Sequence, residues 1–578
     1  KEANIYFEFS TNEKVAMEVA ATAAASGLRS FTFMKHVGMN VASDSFMTTA
    51  YSGVNGGMVI LSADDPSLFS SQNEQDTRNY GRLANVPILE PSNCQEVKDM
   101  VKYAFDLSEQ FKLPVIVRTT TRVSHMRGVV EFGEVVDNSS EGESHWKKGF
   151  FKKNPAQFVP VPAFAKDMHV ALVEKMDEIN KITNESDFNV ESYFSQNKKY
   201  GVIASSSAYN YAYDVIRYNN LDIDVLKLGF SYPFPYDKVA DFVKDYDEVF
   251  IVEEVDPIIE KDTLVAIGKN NLNTVVHGKL DGTFPVYHEF NSDIVANGFN
   301  KYLNFIEENT DDYSDNLLNL QEEIPSRAPV LCAGCPHRAM YYGVNKALEE
   351  LGIPLKDAVF ASDIGCYTLG INPPYNAADY LLSMGSSVGD GCGFSIATNQ
   401  KVISFIGDST FFHSGISPLI NAVHNKNNFI LTVLDNRITA MTGGQPNPGI
   451  PVDGMGDDAP EISIRKLALA CGCNYVRVIN PLNLDQVVKT YKEALERDEV
   501  CVIIAKAPCT LIKGKTRKPP VNYIDSNCNG CNKCVSELAC PAISKDGGKI
   551  AIDQSMCDGC GVCIQVCKYG ALEAGRGE

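Results

Sequence analysis

Eight of the 17 cysteines fall between Cys528 and Cys567, and their spacing leaves the C-terminal end of the chain little choice of fold. They form two runs, C-x2-C-x2-C-x5-C-P from Cys528 to Pro541 and C-x2-C-x2-C-x3-C from Cys557 to Cys567. A C-x2-C-x2-C triplet wraps three corners of one cubane, and in two-cluster ferredoxins the remote fourth cysteine ligates the other cluster. The spacing therefore predicts one [4Fe-4S] cluster on Cys528, Cys531, Cys534 and Cys567, and a second on Cys557, Cys560, Cys563 and Cys540. Structural zinc uses paired cysteines rather than triplets. The five residues before Cys540, and Lys568 where a proline usually follows, remove no ligand. A disulfide framework would need a short exported chain.

Upstream, helical patterns alternate with short apolar runs, the rhythm of parallel α/β sheets. Residues 1–130 carry SFTFMKHVG, GGMVILSADD, VPILEP and LPVIVRTTTR and read as one α/β domain. Residues 131–198 are polar, with a charged helical stretch near VALVEKMDEINK, and read as an excursion or linker. Residues 199–310 resume the rhythm, and the acidic run from Glu307 to Asp315 marks a boundary. A third α/β unit spans 327–515, and the cysteine module fills 520–578. Between them lies a basic, Pro-rich linker with Lys513, Lys515, Arg517 and Lys518, a place where an acidic ferredoxin would be attracted. The expected fold class is several doubly wound parallel-sheet domains plus a C-terminal α+β ferredoxin domain of the bacterial two-cluster type.

The net charge of −21 opposes nucleic acid or an anionic membrane as partner. No run approaches the ~20 apolar residues of a membrane span, and residues 1–30 lack the layout of a signal peptide. A cytoplasmic protein is expected.

KVISFIGDST is an apolar run ending in Gly407-Asp408-Ser409-Thr410, and NFILTVLDNR is another ending in Asp435-Asn436. Two buried parallel strands joined by a helix place both ends on one sheet edge, where open α/β sheets bind ligands. Gly407 permits close approach to a phosphate, and Asp408 and Asn436 offer the hard oxygens that Mg²⁺ takes beside phosphate oxygens. By itself the pattern also fits ordinary strand-end turns. It resembles the thiamine-diphosphate motif, in which the Asp, the Asn and a carbonyl two residues on hold the metal. That carbonyl would be Ile438's, and Ser409 stands where the motif usually has glycine.

The runs CAGCPHR (332–338), SDIGCYTLG (362–370), MGSSVGDG (384–391) and DNRITAMTGGQPNPG (435–449) resemble the thiamine-diphosphate-binding domain of 2-oxoacid:ferredoxin oxidoreductases. CAGCPHR and TAMTGGQPNPG are close to the indolepyruvate branch. The resemblance implies cofactor contacts from Gly334, Cys335 and His337 in the first run, and from Asp363, Gly365 and Cys366 in the second. It implies others from Met384 and Gly385, from Gly407, Asp408 and Ser409, and from Asn436, Thr439 and Ala440. Cys332 and Cys335 also form a pair of the zinc or redox type, but without a second ligand pair they read as a loop lining the cofactor.

Thiamine enzymes need a carboxylate on the aminopyrimidine ring, and in the resembling family a glutamate opening an N-terminal helix supplies it. The run FSTNEKVAMEVAATAAASG puts Glu13 there. Ser10-x-x-Glu13 is also the signature of a capping box, in which Glu13 would only satisfy a helix start. Lys35-His36-Val37-Gly38 and the run from Ser70 to Arg78 follow strand ends of the same domain. Arg78 falls where related pyruvate enzymes keep an arginine for the substrate carboxylate, which a guanidinium grips with two bonds; a solvated surface arginine is the alternative. His36 is a candidate polar group of the cavity. The family normally begins with a further β–α unit carrying Tyr-Pro-Gly-Thr-Pro, and no such run occurs here, so either the start of the chain or part of the pocket is expected to be missing.

The implied reaction converts an arylpyruvate, CoA and two oxidised ferredoxins to aryl-acetyl-CoA, CO₂ and two reduced ferredoxins. The family pairs this subunit with a small one of β/γ type in a heterotetramer. No CoA signature is evident in the chain. An aliphatic 2-oxoacid is the nearest alternative substrate. A non-oxidative decarboxylase would have no use for the eight cysteines, and a pure electron carrier none for the Gly-Asp…Asn pair.

Overall fold

The computed structural model describes residues 5–133, 148–306, 329–512, 514, 517–546 and 549–575. The acidic run 307–315 and the linker residues Lys513 and Lys515 lie outside the described residues. The chain divides into two compact units, Asn12–Ser314 and Asp315–Glu578 with Lys1–Thr11. Among the described residues no helix is long and apolar enough to cross a membrane.

The first unit holds two five-stranded sheets. One takes β1 (Ser30–Lys35), β2 (Met58–Ala63), β3 (Ile88–Leu89) and β4 (Val115–Thr119), with β1 and β4 flanking β2. Two helices lead into and out of β1: α1 (Glu13–Ala25) and α2 (His36–Ser52). The second sheet is built on β5 (Asn189–Ser192), β6 (Tyr200–Ala204), β7 (Ile223–Leu228), β9 (Glu248–Val252) and β10 (Val275–His277). Between β7 and β9, β8 (Phe230–Tyr232) leaves this sheet and pairs antiparallel with β3 in the first.

Residues 131–198 differ from the expected linker. They contain the helix Pro162–Glu185, whose Leu172, Met176 and Ile179 join the first sheet's core. They also contribute β5, which pairs antiparallel with β7. The helix shows one apolar stripe on an otherwise charged surface, the pattern of a helix that packs by one face. The two sheets thus exchange chain, and a boundary at residue 198 cuts β5 off from the sheet it belongs to.

The second unit carries an all-parallel sheet ordered β11-β12-β13-β15-β14: β11 (Ala358–Ala361), β12 (Lys401–Gly407), β13 (Ile430–Asp435), β14 (Tyr475–Ile479) and β15 (Cys501–Lys506). All six residues of β13 are buried, as are the last six of β12. Such continuous apolar runs are what a strand covered by helices on both faces requires. The cysteine module follows, with two short antiparallel pairs: β16 (Asn522–Tyr523) with β19 (Leu572–Glu573), and β17 (Ile543–Asp546) with β18 (Lys549–Ile552). The module packs on the sheet domain through polar bonds. Gln565 Nε2 donates to the Leu482 carbonyl at 2.8 Å, its Oε1 accepts from Leu484 N at 2.9 Å, and Arg338 reaches the carbonyls of Leu538 and Ala539. Gly334 lies flat against it: a Cβ there would come within 2.6 Å of Asp558 Cβ.

Candidate functional site

β12 and β13 are parallel neighbours with Gly407 paired to Leu434, so Asp408 and Asn436 emerge side by side at one sheet edge. Asp408 is buried. Its Oδ1 accepts from Ser409 N at 2.8 Å, and its Oδ2 accepts from Arg437 N at 3.0 Å and from Asn447 Nδ2 at 3.1 Å. Asn436 Oδ1 accepts from Ile438 N at 3.2 Å, and Thr439 Oγ1 bonds Ser409 Oγ at 2.9 Å, with half-buried Ala440 next in the turn. Burial first, and then the neighbouring Asp435 carboxylate, push Asp408 up to about 7. Two carboxylates buried side by side are mutually repulsive, and a divalent cation offsets that repulsion. The donor set therefore fits Mg²⁺.

The surrounding loops close on the same edge. Asp363, just beyond β11, is buried and accepts from the amides of Ile364 (2.7 Å), Gly385 (2.6 Å) and Ser387 (3.2 Å), while burial raises its carboxyl to about 6. Gly385 has φ +93°, and a Cβ there would meet Ser414 Oγ at 1.7 Å. That hydroxyl in turn bonds the Met384 carbonyl at 2.9 Å. The ring of Tyr367 lies against both Gly365 and Gly407, where added Cβ atoms would approach its Cε1 to 2.4 and 2.7 Å. His337 is buried in the first turn of the helix Pro336–Glu350, and burial pulls it down to about 4, so its imidazole is neutral.

In the cysteine module two separate cavities form. Cys540, Cys557, Cys560 and Cys563 line one, and Cys528, Cys531, Cys534 and Cys567 line the other. These are the two quartets the spacing predicts, each gathering a fourth cysteine from the opposite run. None of the eight is in a disulfide. The wall of the first cavity includes Ala333, Gly334, Cys335 and Arg338 from the CAGCPHR loop.

The structure also assembles a cysteine group that spacing does not reveal. Burial raises the Cys366 thiol, and after burial the neighbours that raise it are Cys509 and Cys332. Burial likewise takes Cys335 to about 12, with Cys332 a smaller contributor. Cys332 and Cys335 precede a helix, Cys366 follows β11 and Cys509 follows β15. In a parallel sheet these positions share an edge. Cys509 N donates to the Asn436 carbonyl at 3.0 Å, next to the proposed metal ligands. The signals available in the sequence are the Cys332–Cys335 pair and two further cysteines, Cys366 and Cys509, just beyond strand ends.

In the first unit Glu13 is the first residue of α1, and the N-cap is Asn12, whose Oδ1 accepts from Val15 N at 2.9 Å. Ser10 instead bonds Glu8 at 2.6 Å, so the Ser10–Glu13 capping box is not formed. Glu13 leans on the first turn of α2: a Cβ on Gly38 would stand 2.7 Å from its Cγ. His36 opens that helix, fully buried. Its Nε2 bonds the Asn73 carbonyl at 3.1 Å, and its Nδ1 has no partner.

Arg78 is neither solvated nor offered to a substrate. Its side chain is 2 % exposed and closed into an ion network. Nε donates to Asp76 at 2.9 Å, Nη1 to Glu253 at 2.7 Å, and Nη2 to Asp76 and to the carbonyls of Glu254 and Asp256. A guanidinium so engaged has no fork left for a carboxylate. The expectation that Arg78 binds the 2-oxoacid is therefore corrected: it ties the Ser70–Arg78 loop to the second sheet. Removing it would leave buried Glu253 without its cation and Asp76 with only Arg118 Nε at 3.7 Å, a loss of about 3–5 kcal/mol.

Three family models match the chain: "Pyruvate flavodoxin/ferredoxin oxidoreductase, thiamine diP-bdg" over residues 2–195, "Thiamine pyrophosphate enzyme, C-terminal TPP binding domain" over 363–505, and "4Fe-4S dicluster domain" over 520–568. The indolepyruvate oxidoreductase subunit IorA of Methanothermobacter marburgensis is 55% identical over 99% of this chain and 90% of its own length. The Pyrococcus horikoshii protein of that name is 41% identical over 100% of this chain and 91% of its own. That of Archaeoglobus fulgidus is 41% identical over 99% and 90%. With thiamine-diphosphate and iron–sulfur domains on one polypeptide and this identity along nearly its whole length, the chain belongs to the indolepyruvate oxidoreductase IorA family of thiamine-diphosphate-dependent 2-oxoacid:ferredoxin oxidoreductases.

Proposed function

We propose that the chain oxidatively decarboxylates aryl 2-oxoacids of the indolepyruvate type, with CoA taking the acyl group and ferredoxin the electrons. The observation that carries this is the run of relatives at 41–55% identity whose names specify indolepyruvate. Those relatives are named as subunits, which supports a partner subunit; we take it to be a small one in a heterotetramer that shares the contacts to CoA. An assay of the loaded enzyme with CoA, a viologen dye and a panel of 2-oxoacids tests it. Preference for arylpyruvates is expected, and equal or better turnover of pyruvate or 2-oxoglutarate overturns the substrate reading.

Thiamine diphosphate, when bound, supplies the carbanion chemistry that no side chain provides. The chain's own residues bind and orient it. Asp408, Asn436 and the Ile438 carbonyl hold Mg²⁺ together with diphosphate oxygens. The loops around Gly334, Asp363, Gly385 and Gly407 exclude water from that edge. Glu13 supplies the carboxylate for the aminopyrimidine. Replacing Glu13 by glutamine should therefore collapse turnover while thermal stability barely moves, because Asn12 keeps the cap, a feature worth about 1 kcal/mol. Near wild-type turnover would reduce Glu13 to a helix-start residue.

The two cavities of the cysteine module hold [4Fe-4S] clusters, and the Cys332, Cys335, Cys366 and Cys509 group is a site of the same kind next to the diphosphate edge. Iron analysis of anaerobically prepared protein should then approach about twelve atoms per chain, from three four-iron cubanes, rather than about eight. Changing Cys366 to serine should lower the count by about four. A value of about eight in both proteins would leave this group as buried thiols.

A further inference from the structure

Arg338 lies in the first turn of the helix Pro336–Glu350 and is buried. Its guanidinium is surrounded by neutral acceptors. Nη1 donates to the Tyr375 hydroxyl at 2.6 Å, to the Leu538 carbonyl at 3.2 Å and to the Ala539 carbonyl. Nη2 donates to the Leu331 carbonyl and to that of Cys332 at 3.3 Å. None of these partners is a carboxylate. Tyr375 does not act as a hidden anion, since burial takes its phenol to about 12 and its hydroxyl donates to the Leu538 carbonyl. Nε is buried and has no hydrogen-bond partner among the described residues.

A guanidinium keeps its charge at any accessible pH, and a buried charge without an opposite one is costly. What this cation faces is a set of cysteines and, in the same wall, the Asp558 carboxylate, to which it makes no hydrogen bond. Arg338 forms part of the wall of the cavity lined by Cys540, Cys557, Cys560 and Cys563. Ala539, one of its acceptors, precedes Cys540, and Cys332, another, belongs to the group beside the diphosphate edge. The charge therefore sits between two cysteine groups, bonded to backbone at each.

We infer that Arg338 is the counter-charge of the cluster held by Cys540, Cys557, Cys560 and Cys563 and sets its reduction potential. The inference rests on the cluster reading given above. One electron entering that cluster makes it more negative by one charge while Arg338 keeps its proton. A fixed cation at short range favours the reduced form and raises the potential. The cluster nearest the sheet domain thus becomes the acceptor into which electrons run. Arg338 acts through charge and touches no substrate, which makes it a potential-setting residue and not a catalytic one.

Redox titration of the iron-loaded enzyme, followed by EPR, tests this on the wild type, Arg338→Gln and Arg338→Lys. In Arg338→Gln with full iron content, one cluster signal should be about tenfold less reduced at a fixed potential, a shift of roughly 59 mV for a one-electron couple. Arg338→Lys should restore most of it. Unchanged midpoints in Arg338→Gln, or equal shifts in Gln and Lys, would overturn the inference, the latter by showing a structural effect. A further measurement needs no variant. Pulsed EPR of wild type grown on ¹⁵N-arginine should show guanidinium nitrogen coupled to the reduced cluster, and absence of that coupling also overturns it. No cluster signal in iron-loaded wild type would instead sink the cluster reading beneath it.

Discussion

Replacing Asp408 by alanine should weaken thiamine diphosphate binding by at least about a hundredfold in titration calorimetry with Mg²⁺ present. Changing groups that merely orient metal ligands costs 10–100-fold in affinity, and a direct ligand costs no less. The loss has two parts. The metal loses a hard oxygen, and the amides of Ser409 and Arg437 lose the acceptor that shapes the turn. Asp408→Asn separates these parts, since its amide oxygen still accepts a bond while its charge is gone. Binding should fail in both variants. Full cofactor retention in Asp408→Ala would remove the assignment.

The same carboxylate gives a sign for pH. Its value in the fold, about 7, lies above the ordinary carboxylate range because of burial and Asp435. The metal-free fold therefore binds a proton that the unfolded chain does not. Asp408's contribution to stability is full below the unfolded value and is lost as pH rises through about 7. For the metal the order reverses: a proton competes for the site, so Mg²⁺-dependent binding strengthens as pH rises through the same range.

The second large effect is expected from Cys531→Ser. Reduction of dye or ferredoxin should stop, while decarboxylation in a single turnover survives, because its residues belong to other domains. Cys531 is exposed and lies in the cavity with Cys528, Cys534 and Cys567. That cavity shares no wall with the CAGCPHR loop, whereas the Cys540 cavity does. On the proposed assignment the Cys531 cluster is the outer one, and electrons are expected to leave through it. Wild-type electron transfer with that cluster demonstrably lost would mean the exit lies elsewhere.

Some of this is readable from the sequence for definite physical reasons. Strands buried on both faces appear as unbroken apolar runs, so Gly407–Asp408 and Asp435–Asn436 stand out as strand ends. Ferredoxin triplets are local and carry their own geometry. The Cys332, Cys335, Cys366 and Cys509 group is not local, since strand order alone brings it together. The expectation for Arg78 rests on its resemblance to an arginine of related pyruvate enzymes, and position in a sequence does not tell whether Asp76 and Glu253 have already claimed a guanidinium. At α1, two cap signatures overlap within three residues, and Asn12 takes the position that Ser10 could have held. The apolar stripe of Met168, Leu172, Met176 and Ile179 was present in a charged segment, outweighed by the charge around it.

The bonds from Arg338 and Gln565 to the cysteine module also bear on timing. In electron-transfer enzymes whose carrier domain hangs on a tether, each turnover waits for that domain to swing between donor and acceptor. Here the module is stapled to the domain that bears the diphosphate edge, and part of its inner cavity is built from that domain's own loop. On the proposed function, electrons would then pass within the chain without a domain swing, and the diffusive step in their path would be the encounter with the external carrier.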